Sequence, residues 1–238
     1  MAAPMTERAI ARIRQLIMDG QLTPGSRLPP EHELAALVGS SRNTTREAVR
    51  ALVTARVLDV RRGDGTFVTS LRPELLLDGI GMAVDLMPDE SHLELFEVRR
   101  VLEPAASELA AQRIDAEGLA ALRRQMELMR QASGDPEQFV RHDAAFHEVI
   151  AGAAGNATMA ALLSGISSRT LRARIRRMTF DEDVVRRTLD EHTAILDAIA
   201  ARDPALARAA ATMHIATTEA SLRRRLAARA REAASAAS

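Results

Sequence analysis

Asp143 and His147 stand four residues apart, so a helix would carry both side chains on one face. His192 lies on a later helical stretch beside Ile195, Leu196 and Ile199, and His214 lies between Met213 and Ile215. A helical bundle can bring side chains from three helices to one interior point. One carboxylate and three imidazoles make a donor set for Zn²⁺, Ni²⁺ or a similar divalent ion, with a position open for a ligand oxygen. The spacing leaves a second reading open, in which Asp143 and His147 are a surface pair or a capped core contact. His142 is about 100° around the helix from Asp143 and points elsewhere. His92 reads as a surface residue near a helix start.

A different chemistry is offered near the N-terminus. The run Ser41-Arg42-Asn43-Thr44-Thr45-Arg46 opens a helix, and its Arg42 and Arg46 share one face. Arginine grips guanine O6 and N7 with two hydrogen bonds, while Asn43 and the threonines suit adenine, the thymine methyl or phosphate. Arg61 and Arg62 stand at a turn where a minor groove or a phosphate backbone would pass. Each arginine alone also reads as a solvated surface residue; the arrangement around them is what points to duplex DNA.

That arrangement is helix, helix, helix, hairpin over residues 6–69. Thr6 is placed as an N-cap, with Ile10, Ile13 and Ile17 following at helical spacing and Gly20 ending the helix. Thr23-Pro24-Gly25 is a turn, and Pro30 is suited to the first position of a helix from Glu31 to Val38. Ser40 or Ser41 caps the third helix, which runs to about Ala55 with Ala48, Val49, Leu52 and Val53 inward. Leu58–Arg61 and Thr66–Thr69 read as strands joined by Arg62-Gly63-Asp64-Gly65. A short helix is expected around 74–86. Further helices are placed near 91–113, 115–133, 136–153, 157–178, 182–201 and 204–230, broken at Asp115, Gly134-Asp135-Pro136, Gly155-Asn156, Asp181 and Asp203-Pro204. The fold class is therefore mainly α: a winged helix-turn-helix in residues 1–70, a linker in 71–90, an all-α bundle in 91–230, and a frayed tail in 231–238.

Composition narrows the function classes. With no cysteine among 238 residues, disulfides and thiolate metal sites are excluded. The absence of Trp and Tyr argues against single-strand binding on aromatic platforms. No apolar run approaches the roughly 20 residues of a membrane span, and no signal peptide is recognisable, so a cytoplasmic location is expected. Net charge is zero, but residues 1–70 hold ten Arg against seven acids, which suits a nucleic-acid-binding head on a non-binding body.

The N-terminal stretch closely resembles the GntR family of bacterial regulators. The resemblance is carried by Pro24-Gly25-Ser26-Arg27-Leu28-Pro29-Pro30-Glu31, Leu34-Ala35, Ser41-Arg42-Asn43-Thr44-Thr45-Arg46-Glu47-Ala48 and Gly63-Asp64-Gly65-Thr66-Phe67-Val68. It implies DNA contacts from Arg42, Asn43, Thr44, Arg46, Arg62 and Gly63. One departure is His32, where the family usually carries an arginine at the DNA surface; protonation would restore part of that charge. Residues 91–225 resemble the FadR-type C-terminal ligand-binding domain, FCD. Here the carriers are Glu97-Val98-Arg99-Arg100-Val101-Leu102-Glu103-Pro104-Ala105, Asp143-Ala144-Ala145-Phe146-His147, Gly155-Asn156, Glu191-His192-Thr193-Ala194-Ile195-Leu196 and Met213-His214. The resemblance implies Asp143, His147, His192 and His214 as ligands of a divalent metal, with Zn²⁺ the first expectation, and Arg99 as the residue that meets an effector carboxylate. From the residues alone, Arg99 reads instead as a surface salt bridge to Glu103, four positions on.

The expected function is that of a transcription regulator, a repressor in the family's commoner pattern. A homodimer would present two recognition helices to a palindromic operator, with operator affinity set by a small organic acid in the helical domain. Two alternatives remain at this level. One is a constitutive dimeric DNA-binding protein without effector. The other is a helical metalloenzyme in which Asp143 and the three histidines activate water, although no nucleophile motif accompanies them.

Overall fold

A computed structural model describes residues 4–88, 91–175 and 182–236, apart from the side chains of residues 85, 92, 168–175, 229, 233 and 236. The chain forms two compact units, Met1–Gly79 and Ile80–Ser238, dividing inside the segment read as a linker.

In the first unit α1 spans Met5–Met18, α2 Glu31–Val38 and α3 Arg42–Thr54. Helix α1 starts one residue before Thr6, because the extended Pro4 serves as N-cap and its carbonyl accepts the Arg8 N–H at 3.2 Å. Pro30 is likewise the N-cap of α2 and not its first helical residue: its ψ of 148° is extended while its carbonyl receives Leu34 N–H at 3.0 Å. Of the two serines ahead of α3, Ser41 is the cap, its Oγ accepting the Thr44 N–H at 3.2 Å. Ser40 reaches into the unit and bonds the fully buried Thr45 hydroxyl at 2.8 Å. Thr45 is therefore a packing residue of α3, together with Ala48 and Leu52, and not a nucleic-acid contact. Ile13, Leu16, Leu34, Leu52, Leu58 and Val68 close the core; burying each such side chain contributes about 1.5–3 kcal/mol.

The wing is an antiparallel hairpin of β1 (Leu58–Arg61) and β2 (Gly65–Val68), in register from Leu58 opposite Val68 to Arg61 opposite Gly65. A short third edge, hidden in the sequence behind the Pro24-Gly25 turn, completes it: Leu28 N–H bonds Thr66 O at 2.8 Å and Val68 N–H bonds Ser26 O at 2.9 Å. Gly65 opens β2 at a φ of +118°, a conformation that favours glycine, and a Cβ there would also displace the Arg27 guanidinium, whose Nε would be 2.7 Å away.

The expected helix at 74–86 is two pieces, α4 (Pro73–Leu76) and α5 (Asp78–Leu86), interrupted at Leu77. The second unit then continues with α6 (His92–Arg113), α7 (Ala116–Gln131), α8 (Pro136–Ala153), α9 (Ala157–Ile175), α10 (Glu182–Ala200) and α11 (Pro204–Ala236). Asp115 and Asp135 cap α7 and α8, with carboxylate oxygens accepting the Gly118 N–H at 2.7 Å and the Glu137 N–H at 3.1 Å. Helix α11 continues through residues 231–236, where the Ala- and Ser-rich composition suggested fraying. The expected break at Asp181, and residues 176–178 of the helix placed at 157–178, lie outside the described residues. Helix α6 packs along α11, α7 along α8, and α10 along α11. Leu122, Met126, Met129, Phe146, Ile195 and Ile199 fill the space between them. That packing holds α6, α8, α10 and α11 as rigid supports for the polar residues at the centre of the bundle.

Candidate metal centre and nucleic-acid interface

Three helices converge in the second unit. His147 on α8, His192 on α10 and His214 on α11 bring ligand nitrogens within 4.8 Å of one another. The rings crowd together, with centroids 5.0 Å apart for His147 and His192, 5.2 Å for His147 and His214, and 4.6 Å for His192 and His214. Asp143, one turn before His147, joins them: its Oδ1 lies 3.2 Å from His192 Nε2. Phe146 closes the apolar side, its ring 4.5 Å from that of His192.

The hydrogen bonds around the cluster decide which nitrogens face inward. His192 Nδ1 donates to the Thr188 carbonyl at 2.8 Å, one turn back on α10. His214 Nδ1 donates to Glu191 Oε2 at 2.8 Å. His147 Nδ1 faces Glu103 Oε2 at 3.3 Å. With every Nδ1 engaged, the Nε2 atoms carry the lone pairs. Two of these, on His147 and His192, are buried with no hydrogen-bond partner. Orphaned buried acceptors carry a desolvation cost of about 1–3 kcal/mol each, and a cation at the centre removes it. The donor set, the orphaned nitrogens and the engaged outer nitrogens all fit a divalent metal, and the three histidines could hold one. Spacing points to the candidate ligands but not to Thr188 and Glu191, whose hydrogen bonds orient His192 and His214; Glu191 stands next to His192 in sequence and serves a histidine on another helix.

Electrostatics keep the His147 and His214 imidazoles neutral, the form in which they can ligate a metal. Burial pushes His147 down to about 4, against the partial opposition of the Glu103 and Asp143 carboxylates. Burial also pushes His214 well below the usual imidazole range, helped by the neighbouring His192 and His147. For Glu103, burial favours the neutral acid, but Arg99 and His147 outweigh it and hold the carboxyl below its ordinary value. A histidine depressed in the fold binds its proton first in the unfolded chain, so stability falls as pH drops between the two values. For metal-free protein, His147 alone is expected to remove about 3 kcal/mol of stability between pH 6.5 and pH 4. Urea titrations at pH 7.5, 5.5 and 4.5 measure this; a stability that stays flat over that range contradicts the assigned burial.

Arg99 is only 2% exposed, so its pairing with Glu103 is not the surface salt bridge that spacing suggested. Nε donates to Glu103 Oε1 at 2.5 Å, and the guanidinium carbon lies 4.7 Å from the Phe96 ring centre. Glu103 thus links Arg99 to His147, a role the sequence did not reveal. His142 does point elsewhere, to Gln125 Oε1 at 3.0 Å. His92 opens α6, and its side chain lies outside the described residues.

In the first unit, Arg42 and Asn43 are exposed on the first turn of α3, and Arg42 makes no ion pair among the described residues. Thr44 is half-buried, its hydroxyl 2.8 Å from Ser41 Oγ. Arg46 is held by Glu31 of α2, with Nη2 to Oε1 at 2.7 Å and Nε to Oε2 at 3.3 Å. Their hydrogen bond lowers the Glu31 carboxyl and raises the Arg46 guanidinium relative to their ordinary values. Arg62 and Gly63 form the exposed wing tip, Gly63 with φ +77°. Arg61 instead stacks on Phe67, 4.1 Å from the ring centre, and lies 3.7 Å from Asp59. His32 is exposed and 3.7 Å from Glu33.

Comparison with known proteins matches both units. Residues 5–68 match the bacterial regulatory proteins of the gntR family, and residues 94–217 match the FCD domain. The galactonate operon transcriptional repressor of Escherichia coli K12 is 32% identical over 221 residues, covering 92% of this chain and 96% of that protein. The HTH-type transcriptional regulator LutR of Bacillus subtilis is 30% identical over 86% of this chain and 94% of its own length. Among solved structures, Streptococcus agalactiae GntR aligns with a TM-score of 0.69 at 32% identity, covering 91% of this chain and 99% of that one. No helix among the described residues is long and apolar enough to cross a membrane. The chain belongs to the GntR family and is a DNA-binding transcription regulator with an FCD domain.

Proposed function

We propose that the protein is a repressor whose operator affinity is set by a small carboxylate bound at a divalent metal in the helical unit. The observation that carries this reading is the convergence of three imidazoles whose outer nitrogens are all engaged and whose inner nitrogens include two buried orphans. His147, His192, His214 and Asp143 would hold the ion, Zn²⁺ by the nitrogen-rich donor set, with Ni²⁺ next. When bound, the ion supplies positive charge and a coordination position for an anionic ligand.

The rest of the reading concerns this chain's own residues. Arg99 uses Nε for Glu103, so its terminal NH₂ groups are the ones that meet an effector carboxylate end-on. The carboxylates of Asp143, Glu103 and Glu191 offset most of the charge of a divalent ion and Arg99, which favours an effector of low charge, a monocarboxylate, over a polyanion. A relative named for the galactonate operon, and so for a sugar monocarboxylate, supports this class of effector. On the DNA side, Arg42, Asn43, Thr44, Arg46, Arg62 and Gly63 would make the contacts, Arg42 and Arg46 to base edges and the wing to the backbone. A homodimer would present two such helices to a palindromic site whose two-fold symmetry matches its own.

Selection of bound duplexes from a random pool tests the reading directly. The expected product is an inverted repeat with guanines in each half-site, recovered by protein carrying about one metal ion per chain. Recovery of no sequence preference, or of protein without metal after purification free of chelators, contradicts the corresponding half of the proposal.

A further inference from the structure

Arg46 and Arg42 lie on one face of α3, yet the structure treats them differently. Arg42 makes no salt bridge among the described residues and feels Glu31 only as a nearby charge, whereas Arg46 is clamped by Glu31 through two hydrogen bonds. The clamp is side-on: Glu31 occupies Nε and one hydrogen of Nη2. A guanidinium has a second fork at its end, made by Nη1 and the other hydrogen of Nη2, and that fork matches guanine O6 and N7. Glu31 is the first residue of α2, so the extended Pro30 sets where its backbone begins. The N-terminal end of α2 also favours negative charge at that position.

An unclamped arginine on a DNA-facing surface carries a full charge on a flexible stem and serves any phosphate it meets. A clamped one has its orientation restricted and its charge offset by a carboxylate that phosphates repel. We propose that Glu31 is a specificity-determining positioning residue, which aims the end-on fork of Arg46 at a guanine and withholds its charge from phosphates. The inference rests on the reading of α3 as the recognition helix. Arg42 then supplies both affinity and readout, while Arg46 supplies readout at little gain in sequence-independent affinity.

The test compares full-length wild type, Glu31→Gln and Arg46→Lys on the duplex selected by wild type and on a random duplex of equal length, over a series of salt concentrations. Glu31→Gln keeps the shape and removes the charge. It is expected to tighten random-duplex binding several-fold and steepen the salt dependence by about one unit of slope per recognition helix, as one new phosphate contact requires. The ratio of selected to random affinity should fall about tenfold, with the loss confined to one guanine position per half-site. Arg46→Lys, which keeps a charge without the fork, should lose the same guanine preference. A merely structural role for Glu31 would lower the melting temperature and leave the salt slope unchanged. If wild type selects a sequence while Glu31→Gln keeps both its slope and its selectivity, the positioning role is wrong and the recognition helix stands. If wild type selects no sequence, the recognition helix and the positioning role fall together.

Discussion

The double substitution His147→Ala with His192→Ala is expected to yield folded, helical protein that carries no metal. Two of the three converging imidazoles are removed, and altering even an outer partner of a ligand weakens metal binding about 10–100-fold. The loss from removing two ligands is expected to exceed the upper end of that range. The effect has a thermodynamic counterpart. A metal present at about 100 times its dissociation constant stabilises the fold by about 2.7 kcal/mol. Chelator should therefore lower the melting temperature of wild type by several degrees and leave that of the double variant unmoved. His192 is fully buried against Phe146, so its truncation leaves a cavity and lowers stability by itself. Glu191→Gln avoids that complication: it keeps the packing, loosens the orientation of His214, and should weaken metal binding about 10–100-fold. Elemental analysis and chelator-dependent melting measure both variants. Wild-type levels of metal in the double variant would show that these histidines are not the ligands.

The second large effect is expected at Arg42. Replacing a bidentate guanine contact costs about 1–3 kcal/mol, so Arg42→Ala should weaken operator binding by roughly 5- to 150-fold. Arg42→Lys should recover the phosphate-driven part of the affinity without the base preference, because an ammonium is a point charge without a planar fork. Titrations of selected and random duplexes with the three proteins separate the two contributions. Equal loss on both duplexes would place Arg42 on the phosphate backbone, and no loss on either would remove α3 from the interface.

Both predictions depend on residues visible in the sequence, and the reason is local. The Asp143–His147 spacing, the serine and aspartate caps, and the glycines of the wing are all consequences of helix or turn geometry within a few residues. What stayed hidden depends on approach between elements. Glu31 and Arg46 are fifteen positions apart and meet because α2 and α3 cross there. Glu191 is adjacent to His192 but turns toward α11 to hold His214. Glu103 follows Arg99 at ordinary ion-pair spacing, and only the burial of both, with His147 3.3 Å away, changes its meaning from surface pair to part of the centre. Thr45 reads with the DNA-facing threonines, but it stands three and seven positions before Ala48 and Leu52 on the buried face of α3, where its hydroxyl meets Ser40. The third edge of the wing is not legible in the sequence because Ser26-Arg27-Leu28 has no alternating pattern, and its pairing is fixed by the turn before it.

The allosteric reading requires that an acid bound in the helical unit favour one DNA-binding state over the other. A coupling of 1–3 kcal/mol, typical of such systems, corresponds to about a 5- to 150-fold change in operator affinity. One measurement tests this most directly: the affinity of the metal-loaded protein for its selected duplex during titration with galactonate and other sugar and hydroxy monocarboxylates, repeated after metal removal by chelator. The account predicts that at least one monocarboxylate shifts the affinity within that range, and that chelation or Arg99→Ala abolishes the shift. Operator affinity that stays constant through every acid, with metal and without, contradicts it.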